Sequence, residues 1–99
     1  MKRLQADITG FEWNDGNSKK NLLKHNVSNG ECEEIFFNQP LIIVSDHKHS
    51  QTEIRYSAFG KTDSYRQLTI IYTVRGKQIR IISARDMSRK ERKYYEKHS

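Results

Sequence analysis

The residues of this sequence best suited to chemistry are cations that recur toward its end. Arg80, Arg85 and Arg89 follow one another there, and Arg55 stands earlier in the chain. A guanidinium is planar and can hold two phosphate oxygens at once, which suits arginine to phosphate chemistry. Cleavage of RNA without a metal needs such fixed cations, a base for the ribose 2′-hydroxyl and an acid for the leaving 5′-oxygen. The arginines therefore indicate the phosphate-binding half of such a site.

Lys24 and His25 form a second cationic pair, which could supply the acid or the base. Neighbouring charges can shift the pKa of either side chain toward the range that proton transfer needs. The same residues fall at the end of a predicted helix, where cations interact favourably with the negative pole of the helix. From spacing alone, C-terminal capping is favoured over catalysis for this pair.

The apolar neighbours of two arginines predict where their side chains point. Arg80 stands between Ile79 and Ile81, and Arg55 follows Ile54 in the same alternating manner. Side chains alternate between the two faces of a strand, so each arginine should lie on the face opposite its apolar neighbours. Antiparallel pairing could bring both cations onto one face of a sheet.

The formal net charge of +6 comes entirely from the last quarter of the chain. Residues 1–74 carry nine Lys/Arg and nine Asp/Glu, whereas residues 75–99 carry nine Lys/Arg and three Asp/Glu. Such a localised charge indicates an anionic partner, with nucleic acid, an acidic protein and an anionic membrane surface as alternatives. A solvated basic helix explains the composition equally well.

Metal and nucleotide sites are not indicated. His47 and His49 lie beside Asp46, but no second cysteine, HExxH pattern or carboxylate–histidine cluster completes a zinc set. The five glycines are scattered and form no phosphate-binding loop. We therefore expect neither a metal nor a cofactor.

Size and cysteine content predict a single domain over residues 1–99 in a reducing compartment. Cys32 is the only cysteine, so no internal disulfide can form, and we expect it to pack as a small hydrophobe. No apolar stretch approaches the roughly 20 residues of a membrane span, and no secretory signal begins the chain. We expect a soluble, cytoplasmic protein that does not contact membranes.

Two helices are predicted to come first and four strands to follow. Asn14 or Asp15 caps a helix that runs to about His25. Ser28 starts a second helix through a capping box with the glutamate three residues later, and Pro40 follows its end. The predicted strands span residues 41–45, 53–60, 67–74 and 78–84.

A last helix completes the predicted α+β sandwich around a mainly antiparallel, four-stranded sheet. Ser88 and Glu91 repeat the capping box, and the helix ends near Lys97. Its cations recur at helical spacing and form one basic stripe of Arg89, Lys93 and Lys97. Tyr94 and Tyr95 lie elsewhere on the same turns. We expect one of the two rings to stack on a base and the other to anchor the helix.

Together these motifs resemble the BrnT family of type II toxins over residues 11–95. The motifs that carry the resemblance are Lys24-His25-Asn26-Val27-Ser28, Glu33-Glu34-Ile35-Phe36, Pro40-Leu41, Asp46 with His49, Glu53-Ile54-Arg55, Tyr72-Thr73-Val74-Arg75-Gly76, Arg80-Ile81-Ile82-Ser83-Ala84-Arg85, Glu91-Arg92 and Tyr94-Tyr95. Ile54 stands where the family often has a second acidic or polar residue, and Asn26 replaces a frequent glycine.

The resemblance implies a RelE-like fold and a metal-independent endoribonuclease that arrests growth. It implies neutralisation by a BrnA-type antitoxin with a ribbon-helix-helix domain, in a toxin–antitoxin hetero-oligomer that touches DNA only through the antitoxin. The catalytic residues carried over by the resemblance are Lys24, His25, Arg55, Tyr72, Arg80 and Arg85. The RNA-binding residues expected beside them are Arg89, Lys93, Tyr94, Tyr95 and Lys97. Some of these should prove structural, and Arg85 could pair with a carboxylate such as Glu53.

The alternative function is a basic module without catalytic activity that binds nucleic acid or an acidic partner. Such a module needs only the basic stripe of Arg89, Lys93 and Lys97. This function predicts salt-sensitive binding without cleavage.

Overall fold

A five-stranded mixed sheet lies at the centre of the computed structural model, which describes residues 8–18, 24–46 and 53–98. The described elements are β1 (Gly10–Glu12), α1 (Asp15–Ser18), α2 (Asn29–Glu34), β2 (Ile42–Ser45), β3 (Arg55–Lys61), β4 (Gln67–Arg75), β5 (Gln78–Asp86) and α3 (Arg89–His98). The strands lie in the order β1-β5-β4-β3-β2. β1 runs parallel to β5, and the other neighbours are antiparallel. The α+β class is confirmed.

The prediction of four strands is wrong, because β1 is a fifth strand that makes the sheet mixed. It is three residues long and pairs with Gln78–Arg80, near the other end of the sequence. Its one apolar side chain, Phe11, packs edge-on against Phe36 with 5.6 Å between ring centroids. A strand this short has no local alternation to reveal it, so its pairing arises only in the folded chain.

The four strands that were predicted are confirmed, with ends that differ by one or two residues. β4 and β5 form a hairpin in which Arg75 pairs with Gln78. Gly76 lies in the turn with a φ of 61°, a backbone conformation that glycine adopts without steric cost. A hairpin turn therefore joins the two strands that the sequence predicts over residues 67–74 and 78–84.

Both predicted capping boxes are formed. The Ser28 hydroxyl accepts a hydrogen bond from the Glu31 backbone N–H at 3.1 Å, and the Glu31 carboxylate accepts one from the Ser28 N–H at 3.0 Å. Ser88 and Glu91 make the same two bonds at 3.1 and 2.8 Å. Each pair satisfies two backbone donors that the first turn of a helix leaves without partners, which explains why α2 and α3 begin where they do.

The start of the first predicted helix is confirmed. The Asn14 side-chain oxygen accepts a hydrogen bond from the Gly16 N–H at 2.8 Å, and α1 begins at the next residue, Asp15. Lys24 and His25 are helical as well. Residues 19–23 of that predicted helix lie outside the described part of the chain.

The two faces of the sheet are covered by different elements. One face packs against α2 and the residues that follow it, where Ile35 is fully buried with Ile70 and Ile81. The opposite face carries Thr69, Ile71 and Thr73 of β4 and is called the α3 side. There Tyr95 of α3 packs with Phe59 and Met87 at one end of the strands.

Candidate active site

A row of four paired residues crosses β1, β5, β4 and β3 on the α3 side of the sheet. Arg80 pairs with Glu12 on one side and with Thr73 on the other, and Thr73 pairs with Arg55. Residues directly opposite one another in neighbouring strands point to the same face. Strand pairing therefore places Arg55 and Arg80 on one face, as their apolar neighbours predict.

Arg80 is held in this row by a carboxylate from β1. Its Nη1 donates a hydrogen bond to Glu12 Oε1 at 2.8 Å, and only 19% of the Arg80 side chain is exposed. Arg75 Nη1 lies 3.9 Å from the same oxygen. A half-buried arginine needs an anionic partner, and the short strand β1 supplies it.

Glu53, just before β3, adds a second carboxylate. Arg75 donates to its two oxygens through Nε at 3.2 Å and Nη2 at 3.3 Å. These hydrogen bonds hold the pKa of Glu53 below its ordinary value, and the charges of Arg55 and Arg80 act in the same direction. Glu53 is therefore ionised at neutral pH, and its charge does not cancel those of the three arginines around it.

Three arginines and Glu53 line a groove of about 220 Å³, here called the arginine groove: Arg55, Arg75 and Arg80, with Gly16, Asn17, Ile81 and Ile82 beside them. Asn17 is buried and fixes α1 at the edge of this groove. Its amide nitrogen donates to the backbone oxygens of Glu12 and Ile81, both at 3.1 Å. The groove thus combines fixed cations with an ionised carboxylate, which together suit the binding and cleavage of a phosphodiester.

Arg85 forms an ion pair with Glu91 at the start of α3. Its Nη1 and Nη2 donate to the two oxygens of Glu91 at 2.7 and 2.9 Å, and Thr69 donates to Glu91 at 3.0 Å. The Arg85 hydrogen bonds are the main reason that the pKa of Glu91 is lowered to about 2. The suggested pairing of Arg85 with Glu53 is wrong, because α3 supplies the carboxylate instead.

The two tyrosines of α3 have different environments. Tyr95 is only 3% exposed, and its hydroxyl donates to the Pro40 carbonyl at 2.6 Å, so it anchors the helix. Tyr94 is 39% exposed and stacks on His98 with 4.1 Å between centroids. The structure thus places Tyr95 in the core, away from any stacking surface. The predicted basic stripe is solvent-exposed in full: Arg89, Lys93 and Lys97.

Tyr72 lies on the opposite face from the arginine groove. Its ring is 3% exposed and stacks on Tyr56 with 5.3 Å between centroids, and Phe36 meets it edge-on at 5.2 Å. Burial raises the pKa of Tyr72 to about 12. The structure therefore does not bring this residue together with Arg55 and Arg80.

Lys24 and His25 lie near the C-terminal end of β5, at Asp86. Arg66 Nη2 donates to the His25 carbonyl at 3.2 Å, and Arg66 Nε donates to Asp86 at 2.7 Å. Asp86 and Arg80 are six positions apart on β5, or about 20 Å along an extended strand. The described contacts thus hold His25 at the Asp86 end, away from the arginine groove.

The single cysteine of the chain, Cys32, is part of the hydrophobic core. Cys32 is 1% exposed, and burial raises the pKa of its thiol to about 12, so it packs as the small hydrophobe that we expected. Within the described ranges, no three His, Cys, Asp or Glu side chains lie together in a way that could hold a metal ion. His47 and His49 lie outside those ranges.

Residues 13–91 match the family model of the ribonuclease toxin BrnT of type II toxin–antitoxin systems. The chain belongs to the BrnT toxin family. Membership makes it the toxin of a type II pair, from a family with ribonuclease activity, and implies an antitoxin partner. No curated protein matches the chain. No helix in the described part of this BrnT toxin is long and apolar enough to cross a membrane.

The BrnT match contains the three arginines of the groove and the pair of Arg85 with Glu91, whereas Glu12 precedes it. Sequence reasoning missed Glu12, Arg75 and the place of Glu53 in the groove. Three residues, Gly10–Glu12, are too few for a strand pattern to be recognised from the sequence. Nothing local indicates that Arg75, at the end of β4, bonds a carboxylate before β3.

Proposed function

We propose that this BrnT toxin is a metal-independent endoribonuclease that cleaves RNA in the arginine groove. The observation that supports this most is the row in which Arg80 and Arg55 flank Thr73, with Arg75 and an ionised Glu53 beside them. Fixed cations can steady the negative charge that grows on phosphorus, so the reaction needs no metal for that task. The proposal includes a RelE-like relationship for the fold and a cytoplasmic location.

In the proposed reaction, the ribose 2′-oxygen bonds to phosphorus while the bond to the 5′-oxygen breaks. In this proposal the Glu53 carboxylate, which lines the groove together with Arg55 and Arg80 and is ionised at neutral pH, accepts the 2′-hydroxyl proton. The guanidinium groups of Arg55 and Arg80 hold the non-bridging oxygens. The products are a 2′,3′-cyclic phosphate and a 5′-hydroxyl, and the leaving 5′-oxygen takes its proton from a solvent water molecule.

Cleavage of cellular RNA by the free toxin would arrest growth. In the complex, a BrnA-type antitoxin would neutralise the toxin, and its ribbon-helix-helix domain would make all the contacts to DNA. A partner that binds only the folded toxin also stabilises it. We therefore expect the hetero-oligomer to melt at a higher temperature than the toxin alone.

Incubation of the purified, folded chain with RNA in the presence of EDTA tests the activity. We expect cleavage to continue, with cyclic phosphate at the new 3′ ends. Intact RNA under these conditions would contradict the proposal, and salt-sensitive binding without cleavage would favour the non-catalytic module. The Arg80→Ala variant, purified in the same way and assayed with magnesium in place of EDTA, shows whether a metal-dependent contaminant cleaves the RNA.

A further inference from the structure

A second depression lies on the α3 side of the sheet, between β2 and α3. It has a volume of about 350 Å³, is called the β2–α3 groove, and is lined by Val44, Phe59, Lys90, Glu91 and Tyr94. The exposed fractions of Val44 and Tyr94 are 37% and 39%. Open apolar surfaces bordered by polar residues commonly mark sites where other proteins bind.

The border of this groove is positively charged. Lys90 lines it, and α3 as a whole carries five Lys/Arg and two glutamates. One of those glutamates, Glu91, is already paired with Arg85 at 2.7 Å. An occupant that complements the groove therefore needs an apolar side chain for the floor and carboxylates for the helix.

The strand beside the groove is an edge of the sheet. Within the described part of the chain, β2 pairs only with β3 and has no strand on its other side. Its sequence, Ile42–Ser45, contains neither a charge nor a proline, the residues that commonly protect an edge strand from pairing. An extended peptide can pair with such an edge while its side chains enter an adjacent pocket.

RNA is a poorer match for this groove than a peptide. A base stacks on an open aromatic face, but one face of Tyr94 is already covered by His98. The same ring also contacts Phe59, with 5.8 Å between centroids. The aliphatic side chain of Val44 provides no stacking surface.

The two grooves lie on the same side of the sheet. Phe59 of the β2–α3 groove and Arg55 of the arginine groove are four positions apart on β3, or about 13 Å along the strand. A segment of a few residues that is anchored beside Phe59 can therefore reach the guanidinium groups of the arginine groove with its carboxylates.

We infer that the β2–α3 groove is the docking surface for an acidic, apolar-anchored segment of the antitoxin, which continues from there over the arginine groove. This rests on the proposed function, since it gives a structural route by which the antitoxin blocks cleavage. The apolar anchor supplies affinity, and the acidic residues occupy the positions of the RNA phosphates.

The experiment uses the purified cognate antitoxin, the partner that the family implies. Its Kd is measured for the wild-type toxin and for Val44→Asp and Lys90→Glu. We expect each variant to weaken binding at least about tenfold, because it places a negative charge where acidic residues dock. Cleavage of RNA by the free variants stays unchanged, but it now continues at antitoxin concentrations that silence the wild type.

Two matched controls introduce the same charges elsewhere. Tyr65 is 75% exposed in the β3–β4 turn, and Lys77 is exposed in the β4–β5 turn. Tyr65→Asp and Lys77→Glu should bind the antitoxin like the wild type. Melting curves check folding, and Lys90→Glu, on the exposed surface of a helix, keeps the test decisive if Val44→Asp unfolds.

Equal Kd values for all four variants would overturn the inference, as would a loss of RNA binding instead of antitoxin binding. A free toxin that is a dimer and becomes a monomer in Val44→Asp would assign the groove to a second copy instead.

The same experiment tests the proposed ribonuclease activity separately from the docking surface. A toxin that binds the antitoxin through this groove but leaves RNA intact refutes the ribonuclease and supports the docking surface.

Discussion

Arg80 and Arg85 lie on the same face of the sheet although they are five positions apart on β5. In a regular strand an odd separation places two side chains on opposite faces. The register shifts between Ile71 and Tyr72: Tyr72 pairs with Ile81, but Ile71 pairs with Ser83. Ile82 is therefore an extra residue, and this β-bulge brings the side chain of Arg85 back to the side of Arg80.

The bulge makes one side of β5 cationic at both ends, but only Arg80 lies in the arginine groove. We expect Arg80→Ala to slow RNA cleavage about 10²- to 10³-fold, the usual cost of removing one group that stabilises a transition-state charge. Initial rates of cleavage in EDTA measure this effect.

The matched control for that change is Arg92→Ala. Arg92 is also an arginine, but its Nη1 donates to the Met87 carbonyl at 3.2 Å, outside the arginine groove. Its replacement should leave the rate unchanged. Equal losses in the two variants would show that cleavage depends on total charge and not on the groove.

His25→Ala tests whether the cationic pair of the first helix belongs to the same site. Its backbone is bound by Arg66 at the Asp86 end of β5, so we expect a much smaller loss of cleavage than for Arg80→Ala. Lys24→Ala should behave in the same way. A loss as large as that of Arg80→Ala, with an altered pH profile, would instead show that the pair takes part in proton transfer.

Much of this architecture could be predicted because its causes are local. The Ser28 and Ser88 capping boxes each depend on residues within one helical turn, and both are formed. The alternation of Arg80 with isoleucines correctly predicts the face on which it lies. Turn residues at the β4–β5 hairpin likewise determine where the chain reverses.

The features that could not be predicted depend on contacts between distant parts of the chain. Glu12 joins Arg80 across 68 positions, and the sequence of β1 is too short to reveal its pairing. The bulge at Ile82 has no sequence signature, yet it determines the face of Arg85. Tyr72 has strand spacing and a polar hydroxyl, but only the packing of Phe36 and Tyr56 shows that it belongs to the core.

Gly60→Ala should destabilise the fold by about 1 to 3 kcal/mol, as overpacking of a filled core commonly does. A Cβ at Gly60 would lie 3.0 Å from the Cβ of Ile35 and 3.1 Å from its carbonyl oxygen. Ile35 is fully buried and has little room to move. Urea denaturation measures the change, and Gly10→Ala is the control because no atom lies within 4 Å of a Cβ there. Equal stabilities for the two variants would show that Ile35 adjusts freely.

Glu91 should stabilise the fold above its unfolded-state pKa and lose that effect in acid. Its pKa is lowered to about 2 from an ordinary value of 4.5, chiefly by hydrogen bonds from Arg85. The stabilisation is therefore complete above about pH 4.5 and disappears as the pH falls through about 2.

Glu91→Gln keeps the capping geometry but removes the charge. We therefore expect the free energy of unfolding at pH 7 to fall by about 1 to 3 kcal/mol. Urea denaturation from pH 7 to pH 2 should show the stabilities of the two proteins converging. A difference between Glu91→Gln and the wild type that stays constant with pH would contradict the ion pair as its cause.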